Sequence, residues 1–359
     1  MSRNYKYTIL IRFSTETNLS IGSFDVEYPY SNNSSLKDKI IVKEKSIKIT
    51  ANRSKKTSIS DVLHNANTAM NRQISKSLAY YYAAVGKPNK ITSIKVSRHL
   101  SGNLQEEETI NKSGVRQIIN CDNGMVYLQN INRSELDTVW EESEAGHALL
   151  YAITHLISSC SSPEPFQRFE ALWKCFNSLY KLKEGSTQDS RCLQNLRAHM
   201  IANVSLYPLS TASVNPMTHD DIFSIVNWRN MILNDYKQES QSGYLSGFIQ
   251  RISDARLIKK IEDSLPIRQQ FLQNQGFLPA VQAHIQQQKV LNANSDIEVV
   301  AFMCLKYLYF ARNKLVHAER VHPSFHWVKE HSNEELKIDR CSLILKLLII
   351  DLLNFNTQF

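Results

Sequence analysis

The sequence predicts an α+β protein, with a small mixed α/β domain over residues 1–130 and an all-α helical bundle over 131–359. Three observations carry this expectation. The chain has 359 residues, more than one hydrophobic core ordinarily spans, so two domains are expected. Strand-like runs crowd into the first 130 residues and nearly vanish afterwards, where apolar residues recur at helical spacing instead. Apolar residues make up 42% of the chain and charged residues 21%, the balance of a soluble globular protein rather than a disordered one. With only 10 glycines and 9 prolines, collagen-like, propeller-like and linker-rich organisations are excluded.

Tyr5-Lys6-Tyr7-Thr8-Ile9-Leu10-Ile11 opens a strand over 5–13. Residues 22–30 and 39–50 read as two more, the latter alternating at Ile47, Lys48, Ile49 and Thr50, with the polar loop Ser31 to Ser35 between them. Ser60 is placed as the cap of a helix whose apolar stripe is Val62, Ala66, Met70, Ile74, Leu78, Tyr81 and Val85, ended by Gly86 and Pro88. Residues 91–97 and Met125-Val126-Tyr127-Leu128 complete the strands. Ser134-x-x-Asp137 then starts a helix expected to reach about His155, which Pro163 and Pro165 break. The next helix carries Phe166, Phe169, Leu172, Trp173, Phe176, Leu179 and Tyr180 on one face, and Gly185 follows it. Helical patterns continue over 189–204, 219–236 and 244–263. Ser295-x-x-Glu298 reads as a capping box for a helix running into Arg312, and a largely apolar helix covers 336–354.

Formal charge is +8, but it is unevenly placed. Residues 1–130 hold 19 basic and 10 acidic side chains, a net of +9, while 131–359 hold 23 and 24, a net of −1. The density peaks between Lys37 and Lys56, where eight basic residues face Asp38 and Glu44. Lys43, Lys45, Lys48, Lys55 and Lys56 are candidates for phosphate contacts to RNA. A solvated strand edge, where lysine blocks edge pairing, reads the same way. Leu343 to Leu353, the most apolar run, is too short and too charged to cross a bilayer, so no membrane partner is expected. The amino terminus reads as a strand rather than a signal peptide. Six scattered cysteines without a C-x-x-C pair point to reduced thiols in a cytoplasmic protein.

No G-x-G-x-x-G, P-loop or H-E-x-x-H is present, and Ser246 sits one place off a nucleophile elbow. His317, His322, His326 and His331 cluster, but Pro323 prevents a regular helical pair and no cysteine accompanies them, so neither metal nor cofactor is expected. The sharper feature is Arg312-Asn313-Lys314-Leu315-Val316-His317 at the polar end of an apolar helix. Histidine suits proton transfer near neutral pH, and arginine can hold a phosphate through two parallel hydrogen bonds. Asn313 can orient either one, and Lys314 and Arg320 add local positive charge toward RNA. On the residues alone, helix capping by Arg312 and His317 remains open as a second explanation.

Arg312, Asn313 and His317 resemble the R-x(4–6)-H motif of the HEPN family, in which a polar residue often follows the arginine late in a helical bundle. Phe166 to Tyr180 is similar to the aromatic early helix of the Apea-like HEPN branch. The resemblance covers about residues 135–359 and implies that the second domain is a HEPN-type bundle. It further implies a metal-independent endoribonuclease in which His317 moves protons, Arg312 holds the scissile phosphate and Asn313 positions them. A homodimer that joins two motifs in one cleft is implied, as are the role of a toxin or antiphage defence effector, an RNA substrate such as tRNA or mRNA, and an antitoxin or phage-derived trigger. Some members of the family are non-catalytic and bind nucleotides or partners, which is the alternative.

Overall fold

The computed structural model describes residues 5–29, 36–185, 188–316 and 331–355. The chain divides into two compact units, one of residues 1–183 with 353–359 and the other of residues 184–352. The first unit contains a six-stranded, wholly antiparallel sheet in the order β2-β3-β4-β1-β5-β6. Its strands are β1 (Tyr5–Phe13), β2 (Ser20–Glu27), β3 (Lys37–Lys43), β4 (Ser46–Arg53), β5 (Ile91–Leu100) and β6 (Asn103–Asn111). The run read as one strand over 39–50 is instead a hairpin that turns at Glu44 and Lys45. β6 was not expected. It pairs with β5 through a turn at Ser101 and Gly102, both with positive φ, the backbone a tight hairpin requires.

Period-two alternation buries one face of this sheet. Tyr7, Ile9, Ile11 and Phe13 of β1 lie beside Ile40 and Val42 of β3 and Ile47, Ile49 and Ala51 of β4. The helix expected from Ser60 is two helices, α1 (Ile59–His64) and α2 (Ala69–Val85). Ser58 caps the first and Thr68 the second, each accepting a hydrogen bond from the amide three residues on. Ala66 falls in the exposed break between them. Gly86 ends α2 in the left-handed conformation as expected, with φ 59°. Tyr80, Tyr81 and Tyr82 are all buried, although successive helical residues point about 100° apart. Tyr81 stacks on Phe13 of the sheet, Tyr82 donates to the Asn89 carbonyl, and Tyr80 reaches Asp137. The carboxy-terminal half of α2 is therefore covered on more than one side.

That second cover explains why the division after residue 130 is not where the chain divides. α3 (Arg133–Leu136), a 3-10 turn (Asp137–Trp140), α4 (Glu144–Ser161) and α5 (Pro165–Glu184) follow the sheet within the first unit. Met125 to Leu128, read as a strand, lies in a 3-10 turn (Met125–Asn130). The single helix expected from Ser134 is interrupted at 141–143, where Ser143 caps α4. Lys76 of α2 has a fully buried side chain. Its ammonium donates to the carbonyls of Trp140 (3.3 Å) and Glu141 (3.1 Å) and to Glu142 Oε1 (2.6 Å). The carboxy-terminal end of the chain is held in the same unit by Asn354, which accepts from the Asn132 amide and donates to the Asn130 carbonyl.

The second unit is helical among its described residues. It comprises α6 (Asp189–Ala202), α7 (Pro208–Val214), α8 (His219–Ile225), α9 (Trp228–Asp235), α10 (Ser242–Gln250), α11 (Ala255–Ser264), α12 (Gln269–Asn274), α13 (Leu278–Leu291), α14 (Asp296–Ala301), α15 (Leu308–Val316) and most of α16 (Asn333–Asn354). The helices expected over 219–236 and 244–263 are each two. Asp254 breaks the second by accepting from the amides of Arg256 and Leu257 at the start of α11. The expected capping box does not form, because Glu298 accepts from Ser253 and Asp254 instead. α14 and α15 are joined by a π-helical turn over Phe302–Tyr307. All six cysteines are free thiols, and among the described residues no helix is long and apolar enough to cross a membrane.

Three stability measurements follow. Lys76→Met should cost about 3–5 kcal/mol in urea unfolding, because it removes the ammonium from two carbonyls and leaves the largely buried Glu142 carboxylate, among the described residues, only Arg72 at 3.8 Å and His147 at 3.4 Å. Burial acts to raise the Glu142 carboxyl, but hydrogen bonding and charge from Lys76 hold it below the usual carboxylate range. Its stabilisation is present above the ordinary value near 4.5 and is lost as pH falls through the lowered folded value, so Glu142→Gln should flatten the acid limb of the stability profile. Asp351 behaves oppositely. It is buried in α16 and accepts from the amides of Leu209 and Ser210 and the Ser210 hydroxyl, yet burial raises its carboxyl above the ordinary 3.8. Its contribution is greatest at low pH and declines as pH rises through the folded value. The stability of the parent relative to Asp351→Asn should therefore fall as pH rises from the ordinary value of 3.8 through the raised folded value in denaturant titrations.

Candidate functional site

The π turn and α15 carry the apolar helix to its polar end. Val299, Val300, Met303, Cys304, Tyr307 and Leu308 are buried, and exposure rises from Arg312 onward. Arg312 is 29% exposed along its side chain. Its Nη1 donates to Asn313 Oδ1 at 3.0 Å, and its Nη2 lies 3.9 Å from Asp189 Oδ2 in the first turn of α6. The adjacent Asn313 thus accepts from the guanidinium and fixes one of its nitrogens. Asp189 is a partner the sequence did not reveal, because it is 123 positions earlier in the chain. His317 and Arg320 lie outside the described residues, as do His322 and His326.

Lys314 belongs to a different surface. Two helical positions separate it from Arg312, which is about 200° of rotation. Lys314 lines an open cleft of about 570 Å³ walled by α9, α15 and α16. From the α9 side come Asn227, Asn230, Leu233, Asn234 and Lys237, at the three- and four-residue spacing of one helical face. Tyr307, Phe310 and Ala311 form the second wall, and Glu334 and Ile338 the third. Arg312 and Asn313 are not part of this wall. The local cluster expected around Arg312 and Lys314 is therefore split between two sides of one helix. The spacing Asn227, Asn230, Asn234, Lys237 was visible in the sequence, but asparagines give no apolar signal by which to rank such a face.

The basic candidates of the first unit also separate. Lys45, Lys48, Lys55 and Lys56 are exposed and Lys43 is half-buried. Lys43 ends β3, Lys45 sits in the hairpin turn and Lys48 lies on β4. Lys55 and Lys56 follow the other end of β4, about 23 Å along an eight-residue strand from that turn. Arg53, counted in the same basic cluster, points into the core. It makes paired hydrogen bonds to Asp38 at 2.6 and 2.7 Å, beneath the Tyr28 ring. The aromatic helix α5 buries Phe169, Trp173, Phe176 and Tyr180, whose rings contact one another in sequence along the helix. The span over which the HEPN resemblance runs is thus divided between the two units at residue 184.

Compared with protein-family models, curated proteins and solved structures, the chain matches none.

Proposed function

We propose that the chain is a metal-independent endoribonuclease of the HEPN type, with Arg312, Asn313 and His317 as its catalytic residues. The observation that carries this reading is the Arg312–Asn313 hydrogen bond at the half-exposed end of a buried helix, five residues before a histidine. A guanidinium tethered through one nitrogen keeps its remaining donors for a phosphate and loses less freedom on binding one. His317 deprotonates a ribose 2′-hydroxyl, whose oxygen attacks the adjacent phosphorus. The P–O5′ bond breaks, and the departing 5′-oxygen takes a proton. The products are a 2′,3′-cyclic phosphate and a 5′-hydroxyl, with Arg312 neutralising the charge that grows on the phosphoryl oxygens. One motif supplies one histidine, so a homodimer gives the second proton-transfer group. The biological setting in this reading is a toxin or antiphage defence effector in the cytoplasm, acting on tRNA or mRNA and held by an antitoxin or released by a phage-derived trigger.

One observation favours the alternative of a non-catalytic HEPN module that binds a nucleotide or partner. The Asp189 carboxylate already neutralises part of the Arg312 charge, whereas Lys314 faces a separate cleft of ligand size. Incubation with tRNA and total RNA in EDTA separates the two. The parent should release fragments ending in cyclic phosphate, and Arg312→Ala and His317→Ala should each reduce cleavage at least about 100-fold. Equal cleavage by His317→Ala and the parent overturns the assignment.

A further inference from the structure

Because α1, α2 and the core cover one face of the sheet, the opposite face carries the remaining alternate residues. The strand register fixes which these are. Arg12 of β1 lies opposite Ser46 of β4 and Ser93 of β5, and Leu10 lies opposite Lys48 and Lys95. On the other side of β4, Ser46 pairs with Lys43 and Lys48 with Ile41 of β3. Lys43, Lys48, Arg12 and Lys95 therefore form a zigzag across four adjacent strands. Each is diagonal to the next, about 7–8 Å apart on one face. The row spans three strand spacings, roughly 14 Å, and Lys45 extends it at the hairpin turn.

The surroundings of this row are asymmetric. Lys39 and Lys37 lie opposite Asp25 and Glu27 on β2, so that margin is neutralised. Lys95 pairs with Glu107 of β6 at 2.8 Å. Cross-strand neighbours of Arg12 and Lys48 are serine, leucine and isoleucine only. Both side chains are exposed. Apart from Lys6, opposite Asn52 and His99 at the far end of β1, the positive charge of this face that no acidic strand partner opposes is thus gathered in a band with acidic residues on both edge strands. Such a band fits a linear polyanion better than an anionic membrane, which would meet the acidic margins as well as the band. No Phe, Tyr or Trp lies on this face among the described strand residues, and its imidazole, His99 opposite Lys6, stands four residues along β5 from Lys95, so along the row the contact is with the phosphate backbone rather than with stacked bases.

We propose that the open face of the sheet binds the phosphate backbone of a nucleic-acid strand, independent of sequence, along the row Lys43–Lys48–Arg12–Lys95. The inference stands apart from the ribonuclease reading, since the strand can dock whether or not it is cut. A 2′-O-methylated 20-nucleotide uridine strand, which lacks the attacking hydroxyl, reads binding alone. By fluorescence anisotropy with the full chain, Arg12→Glu with Lys48→Glu should weaken binding at least about tenfold at 50 mM salt. The slope of log K against log salt should fall by about 1.4, two single-strand phosphate contacts. Arg12→Gln with Lys48→Gln guards against misfolding by reversed charge and should move both quantities the same way by less. Lys112→Glu with Arg116→Glu makes the same net change at exposed positions off the row and should leave binding near the parent value.

Equal losses in the row and control variants, or none in either, overturn the proposal. So does a parent protein that binds phosphatidylserine vesicles but not the strand. Cleavage of ordinary RNA by a protein whose row variants bind normally sinks this inference and leaves the ribonuclease standing. Row-dependent binding without any cleavage does the reverse.

Discussion

An ammonium with no exposed surface has to be neutralised where it lies, and Lys76 imposes that condition on the first unit. Two of its partners are carbonyls, of Trp140 and Glu141, and the third is the Glu142 carboxylate. Residues 140–142 must therefore lie over α2, which determines where α4 can begin. Space there is so short that a Cβ on Gly146 would come within 2.5 Å of the Glu141 carbonyl oxygen and 2.8 Å of that of Thr138. Glycine is needed at this point for close approach rather than for a special φ. The same packing buries Trp140 against Tyr80 and Phe24, so sheet, α2 and the start of α4 share one core.

Pairing also decides what the net charge of residues 1–130 is available to do. Strand alternation sends Arg53 inward, where Asp38 and Gln73 complete its network, and sends Arg12 and Lys48 outward, where nothing acidic opposes them. The basic run from Lys37 to Lys56 is contiguous in sequence but occupies three places in the fold. One is the core, one is the open face and its hairpin turn, and one is the loop beyond β4. Conversely, Arg12 and Lys95, far from that run in sequence, join it in space. A charge count along the chain registers how much is present, and the period of the strands decides which residues act together.

The parts of the fold legible in the sequence are those whose signal is local. β1 shows its alternation, α2 its Gly86 terminus, and α5 and α16 their apolar faces. What escaped is set by distant partners or by polar residues. β6, with Glu106, Glu107 and Glu108, has no apolar period of its own and is a strand because β5 pairs with it. Ser295 and Glu298 have the spacing of a capping box, but Glu298 is drawn to the amides of Ser253 and Asp254. Arg312 and Asn313 were legible as a pair because they are adjacent. Asp189 and the asparagine face of α9 were not, since neither has a sequence period tied to Arg312.

The π turn at Phe302–Tyr307 links that site to the helix that carries it. Its bond from the Leu308 amide to the Met303 carbonyl takes five residues where a regular helix takes four. One extra residue in a turn rotates everything after it by roughly 100° relative to a continuous α-helix. The first half of the helix is buried through Val299, Val300 and Met303 whatever the phase of its end. The phase of α15 is therefore set by the turn. In the phase observed, Arg312 meets Asp189 and Lys314 meets the cleft. A continuous helix would turn both away from these partners by about a quarter of the circumference. The separation between the guanidinium site and the asparagine-lined cleft is thus a property of the helix as much as of the residues. Any function that needs both Arg312 and Lys314 must engage them from two sides.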